Sequence, residues 1–209
     1  KVYGNILDKN EKKIFIDEIK SLTIKNVSIR KSSSLNKALL EIEKLKRIQS
    51  LNKKYNIHDL GKIISECKNF GTLPFSILAR HAFIATDLLN SLHSIGILTK
   101  NDIENFRSSL SSITSEMLED ANKLSKKLFL EKYGHLRPGT YDIKSTRYDK
   151  QKGFSIDKRS FSTKNKKFTL TKDKKIKIQK LIKKNNFQLS SVGDLFSYIK
   201  TSIISREYA

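Results

Sequence analysis

Leu73-Pro-Phe-Ser-Ile-Leu-Ala-Arg-His-Ala-Phe-Ile-Ala-Thr-Asp-Leu-Leu-Asn-Ser-Leu-His-Ser-Ile95 decides the fold class of this 209-residue chain. Pro74 stands near the first helical turn, where its missing N–H costs little. Phe75, Ile77, Leu78, Phe83, Ile84, Leu88, Leu89 and Leu92 then cover nearly every side of a helix, which predicts a central, buried element. Arg80 and His81 fall in its middle. A buried guanidinium must be paired or hold an anion, because leaving it bare is costly. Asp87, two turns on and nearly on the same face, offers an internal ion pair. His81 reads either as a hydrogen-bonded core histidine or as a ligand.

The flanks keep the helical period. Ile14, Phe15, Ile19 and Leu22 mark a helix over 11–25. A cap within Ser32–Ser34 opens another through Leu35, Leu39, Ile42, Leu45 and Ile48 to about Lys54. A short helix is expected from His58 to Asn69, ending near Gly71. Thr99 or Asn101 caps a long one marked by Ile103, Phe106, Leu110, Ile113, Met117 and Leu118, and Ser125 starts a further turn with Leu128, Phe129 and Leu130. Phe168–Leu170 suggests a short strand. Thr171 caps a Lys-rich helix with Ile176, Ile178, Leu181 and Ile182, and Ser190 or Ser191 caps the last, with Val192, Leu195, Phe196, Ile199 and Ile203. With two prolines and eight glycines, little interrupts these helices. The expected architecture is mainly α, a bundle-like domain with little strand. It divides into a helical core over 1–143, a basic loop or mobile segment over 144–170, and C-terminal helices over 171–209 that pack on the core. A start at Lys1 without Met, and an end at Ala209 inside an apparent helix, suggest a part of a larger multidomain protein.

A net charge of +21 points first to nucleic acid. The kind of charge argues otherwise: of 42 basic residues eight are Arg and 34 Lys, and Lys, Asn and Ile are abundant together, as an AT-rich coding sequence produces without any binding role. Against that background each Arg is a candidate for fork-shaped hydrogen bonding. Residues 144–184 hold 16 Lys and Arg against three Asp, and within them 144–167 are poor in large apolar side chains, so this tract reads as exposed or mobile. A basic helical module using this tract on nucleic acid is the alternative reading, and a non-catalytic interaction domain is another. The single Cys67 excludes an internal disulfide, fits a reducing cytosol, and reads as a small core residue. No apolar run reaches the roughly 20 residues of a bilayer span, so a cytoplasmic protein without membrane contact is expected.

Phosphate-binding glycine loops, a G-x-S-x-G elbow and zinc-ligand spacings are all missing, and aromatic residues do not alternate with basic ones. One loop is dense in chemistry instead. Tyr133-Gly-His-Leu-Arg-Pro-Gly-Thr-Tyr-Asp142 gathers phenol, imidazole, guanidinium and carboxylate groups on a backbone that Gly134, Pro138 and Gly139 keep out of helix. Such loops hold a ligand or, more plainly, tie two helices together.

Gly71-Thr-Leu-Pro-Phe-Ser-Ile-Leu-Ala-Arg-His-Ala-Phe-Ile-Ala85, Tyr133 to Ile143, and Ser145-Thr-Arg-Tyr-Asp149 together resemble the phosphoenolpyruvate synthase-like kinases. More narrowly they resemble the middle, substrate-binding domain of members associated with surface-polysaccharide biosynthesis. Ser205-Arg-Glu-Tyr-Ala209 is similar to the family's sequence just after that domain. The likeness covers Cys67 to Asp149 and fades on either side.

The resemblance implies an ATP-grasp domain that phosphorylates a histidine on a mobile domain, which carries the phosphoryl group to the acceptor held here. ATP and Mg belong to the absent domain, and ATP leaves as AMP and phosphate. The implied acceptor is the side-chain amide of L-glutamine, in building the phosphoramidate of a capsule. The present chain alone is then inactive. Within that implied chemistry Arg137 or Arg80 suits the acceptor's carboxylate and Asp142 its ammonium group. His135 contacts the incoming phosphoryl group or takes the amide proton. His81 and Arg147 are possible phosphate contacts, and Tyr141 and Tyr148 would wall the pocket. No metal ligand is expected in this chain.

Overall fold

The computed structural model describes residues 7–51, 55–111, 113–138, 142, 144–151 and 168–208. They are mainly helical, in a bundle-like arrangement without strand among them. The chain forms two compact units, one of residues 1–104 with 168–209 and one of residues 105–167.

In the first unit α1 (Lys9–Asn26) starts at a capping box, where Asp8 accepts from the Asn10 and Glu11 amides and Glu11 accepts from the Asp8 amide. The predicted apolar residues are on this helix, yet none of its side chains is buried. Ser33 caps α2 (Ser34–Ser50), which buries Leu35, Ala38 and Ile42. A 3-10 turn at Ile57–Asp59 leads into α3 (Leu60–Cys67). The helix expected to stop near Gly71 does not stop. A single π turn, Lys68–Thr72, carries the backbone directly into α4 (Leu73–Ser94). Cys67, expected in the core, is exposed.

The central helix departs from its sequence pattern in an instructive way. α4 buries Pro74, Leu78, His81, Ala82, Ala85, Leu89 and Leu92, which recur at three- and four-residue steps and therefore form one face. That face packs against α2 and α9 (Val192–Tyr208). Phe83, by contrast, is 62% exposed. Arg80 lies on the open side as well, so the expected buried guanidinium is not there, and among the described residues no ion pair joins it to Asp87. Fully burying one Leu such as Leu78 or Leu89 contributes about 2 kcal/mol, so the packed face alone suffices to hold α4. α4 ends at Gly96, whose φ of +74° lets the Ile97 amide reach Leu92 O at 3.0 Å.

α8 (Lys172–Lys184) begins at its predicted Thr171 cap and buries Ile178 and Ile182 as it packs on α9. Phe168–Leu170, expected as a strand, is irregular chain. Lys174 Nζ sits 2.6 Å from Asp102 Oδ2, and the same carboxylate accepts from the Thr99 amide and hydroxyl. Burial opposes the charge on Asp102, but the Lys174 and Thr99 hydrogen bonds prevail and hold its pKa at about 2. The stabilisation is therefore present above the ordinary carboxylate value of 3.8 and fades as pH falls toward 2. Asp102→Asn should cost about 2 kcal/mol in urea unfolding at neutral pH, the range for a hydrogen bond to a charged group. A cost near zero would mean that the pair merely decorates the surface.

The predicted long helix after Thr99 is broken. α5 (Lys100–Ser108) stops where Ser109 Oγ turns back to donate to Phe106 O at 2.6 Å, a serine hydroxyl competing for a backbone carbonyl. In the second unit α6 (Ile113–Lys123) and α7 (Lys126–Tyr133), the latter capped by Ser125 as expected, pack around Ala121, Phe129 and Tyr133.

Candidate functional site

The chemistry-rich loop leaves the end of α7 in the second unit. Its first residue is anchored: Tyr133 is buried, its ring lies 5.0 Å from that of Phe129, and its hydroxyl donates to Asp120 Oδ2 at 2.8 Å. Lys132 Nζ reaches both Glu116 and Asp120 at 2.7 Å. Lys132 and Tyr133 as donors hold the Asp120 carboxyl below its usual range, while burial pushes the Tyr133 phenol up.

From this anchor the chain is clasped by its own return. The Tyr148 amide donates to Leu136 O at 3.0 Å and the Asp149 amide to Gly134 O at 3.1 Å. Gly134 is required by close approach, because a Cβ there would stand 2.9 Å from that of Asp149 and would also strike Leu130 O. Arg147 lays its fork on Asp149, with Nε to Oδ1 at 3.0 Å and a second nitrogen to Oδ2 at 2.5 Å. The two segments that stand apart in sequence, 133–138 and 145–149, are thus one structural object.

On that object His135 and Arg137 are exposed and Tyr148 is half-buried. Asp142 is also exposed, and its Oδ1 accepts from the Lys144 amide at 2.9 Å. Tyr141 lies outside the described residues. Arg147, expected as a phosphate contact, already commits its fork to Asp149.

Arg80 and His81 belong to the other unit. His81 is 2% exposed and both its ring nitrogens are engaged, Nε2 with Ser34 Oγ at 2.8 Å and Nδ1 with the Tyr198 hydroxyl at 2.9 Å. Asn26 fixes the direction of this chain. Its amide nitrogen donates to Leu22 O, so its Oδ1 accepts from the Ser34 hydroxyl. Ser34 then accepts from Nε2–H, and Nδ1 accepts from Tyr198. Burial and, secondly, the charge of Arg80 lower the His81 pKa to about 4, so the ring is neutral at pH 7. Burial raises the Tyr198 phenol to about 12, an effect the nearby Ser202 hydroxyl tempers. In this arrangement His81 has no nitrogen left for a ligand, and the hydrogen-bonded core histidine is what the fold contains.

Ser34 and Tyr198 were not legible as its partners, nor Asn26 as the partner of Ser34, since each lies on a different helix. The only sequence signal was Tyr198 standing within the apolar period of Leu195 and Ile199. Among the described residues no cluster of three or more His, Cys, Asp or Glu is placed to hold a metal, and no helix is long and apolar enough to cross a membrane. Comparison of the chain with family models, with curated proteins and with solved structures finds no match.

Proposed function

We propose that this chain is the acceptor-binding domain of an ATP-dependent phosphotransferase resembling the phosphoenolpyruvate synthase-like kinases, specifically an L-glutamine kinase of capsule biosynthesis. The observation that supports it is the clasp. Two segments singled out by the resemblance pair through backbone hydrogen bonds, and the pairing presents His135 and Arg137 at the surface.

Phosphoryl transfer asks mainly for positioning and charge neutralisation from an acceptor site. In the proposed reaction Arg137 holds the α-carboxylate of glutamine and the open oxygen of Asp142 takes its ammonium group. A P–N bond forms to the amide nitrogen as the carrier histidine's P–N bond breaks, and His135 receives the amide proton. ATP and Mg serve another domain of the same enzyme. A basic nucleic-acid module has the exposed lysines of α8 in its favour, and salt separates the two, since phosphate contacts by lysine weaken steeply with salt.

Calorimetry of the chain against L-glutamine, with L-glutamate and L-asparagine as controls at low and high salt, should give selective binding that changes little with salt. Arg137→Ala should weaken it by at least about tenfold, the loss of one charge-assisted pair. Unchanged affinity in that variant sinks the carboxylate assignment, and binding of none of the three amino acids removes glutamine as the acceptor.

A further inference from the structure

A second surface, in the first unit, is unused by this reading. Residues 168–170, α8 and the start of α9 border a trough of about 580 Å³. Its walls are apolar, supplied chiefly by Phe168, Leu170, Ile176, Val192 and Phe196. The Phe168 and Phe196 rings pack at 5.2 Å and Ile176 is 56% exposed at the edge. Gln179 closes one end by donating to Ser190 O.

Lys175 borders the trough, and further lysines flank it along the two helices. Lys172, Lys175, Gln179 and Lys183 share one ridge of α8 at three- and four-residue steps, and Lys200 lies one turn beyond Phe196 on α9. All four lysines are exposed, and among the described residues none has an acidic partner. The nearby carboxylates are otherwise engaged, Asp173 with Lys177 and Asp194 with the Ser190 and Ser191 amides.

We propose that this trough docks an acidic amphipathic helix of a partner protein, with its apolar residues in the trough and its carboxylates on the flanking lysines. Charge complementarity names the sign of the partner, and concavity names its form. A bilayer is flat and is entered by apolar groups that project, whereas here the aromatic rings line a hollow. Single-stranded nucleic acid stacks on open ring faces, and these rings lean on each other. A helix that lays one apolar stripe into a groove matches both features.

The test uses the whole chain and a fluorescent synthetic peptide of about 18 residues, five helical turns. It has Leu at three- and four-residue steps and Glu at most other positions. A scrambled peptide of identical composition, single-stranded DNA and anionic phospholipid vesicles serve as competitors. The ordered peptide should bind at least about tenfold tighter than the scrambled one. Ile176→Asp should abolish that preference, and Lys175→Glu with Lys183→Glu should weaken the ordered peptide by a similar factor. These side chains are exposed, so the variants keep the fold, as their helical circular dichroism would verify. Equal binding of the two peptides, binding of neither, or a preference that survives Ile176→Asp overturns the proposal. So does tighter binding of DNA or vesicles that the same substitutions remove.

Discussion

Acidification from pH 6.5 to 4 should cost the protein about 3 kcal/mol through His81 alone. The sign follows from the lowered pKa. The folded state holds the ring neutral down to about 4, whereas the unfolded chain takes up a proton near 6.5. The contribution is therefore complete above 6.5 and lost as pH falls to 4. Protonation also puts a hydrogen on Nδ1, which faces the Tyr198 hydroxyl donor, so that bond must turn round and the phenol lose its acceptor, while the bonds from Nε2 through Ser34 to Asn26 keep their direction. Urea unfolding of the native chain and of His81→Gln at a series of pH values checks this. The variant should be weaker at neutral pH yet lose about 3 kcal/mol less across the window. Parallel pH curves for the two proteins would show that His81 is not the group responsible.

Gly134→Ala should open the clasp. The added methyl meets the backbone of Leu130 and the Cβ of Asp149, neither of which can swing aside as a flexible side-chain end would. Overpacking of this kind costs about 2 kcal/mol. Hydrogen exchange resolves where the cost falls. The Tyr148 and Asp149 amides, which close the clasp, should exchange about thirtyfold faster, while the amides of α9 in the other unit stay protected. Unchanged exchange at Tyr148 and Asp149 would mean that the return segment is held by something other than its approach to Gly134. If the clasp presents the acceptor site, the same substitution also weakens glutamine binding, which ties the two measurements together.

The helices were legible because periodicity and capping are local. Ser33, Ser125 and Thr171 cap where the sequence puts caps, and α8 buries Ile178 and Ile182 out of a Lys-rich run. What failed was decided at longer range. Nothing near Arg80 says which side of α4 faces α2 and α9, and a helix apolar on every side need not be buried on every side. The break after Ser108 depended on a serine hydroxyl competing with helix continuation, which an apolar count over 103–118 overlooks. At the candidate site the ingredients were visible, and the backbone pairing of Gly134 and Leu136 with Tyr148 and Asp149 was not. Neither was the occupation of Arg147 by a carboxylate two residues away, since spacing alone does not say that a fork will turn inward.

The π turn between α3 and α4 has a consequence for phase. One surplus residue in a helical run turns everything on its far side by roughly 100°. α3 and α4 are therefore continuous as backbone and discontinuous as faces. Leu60 and Ile64 stay 50% and 58% exposed, while the α4 stripe beginning at Pro74 is buried. An apolar stripe traced through Gly71 loses register there, and a chain differing by a single residue in Lys68–Thr72 would present α3 to its surroundings by another side.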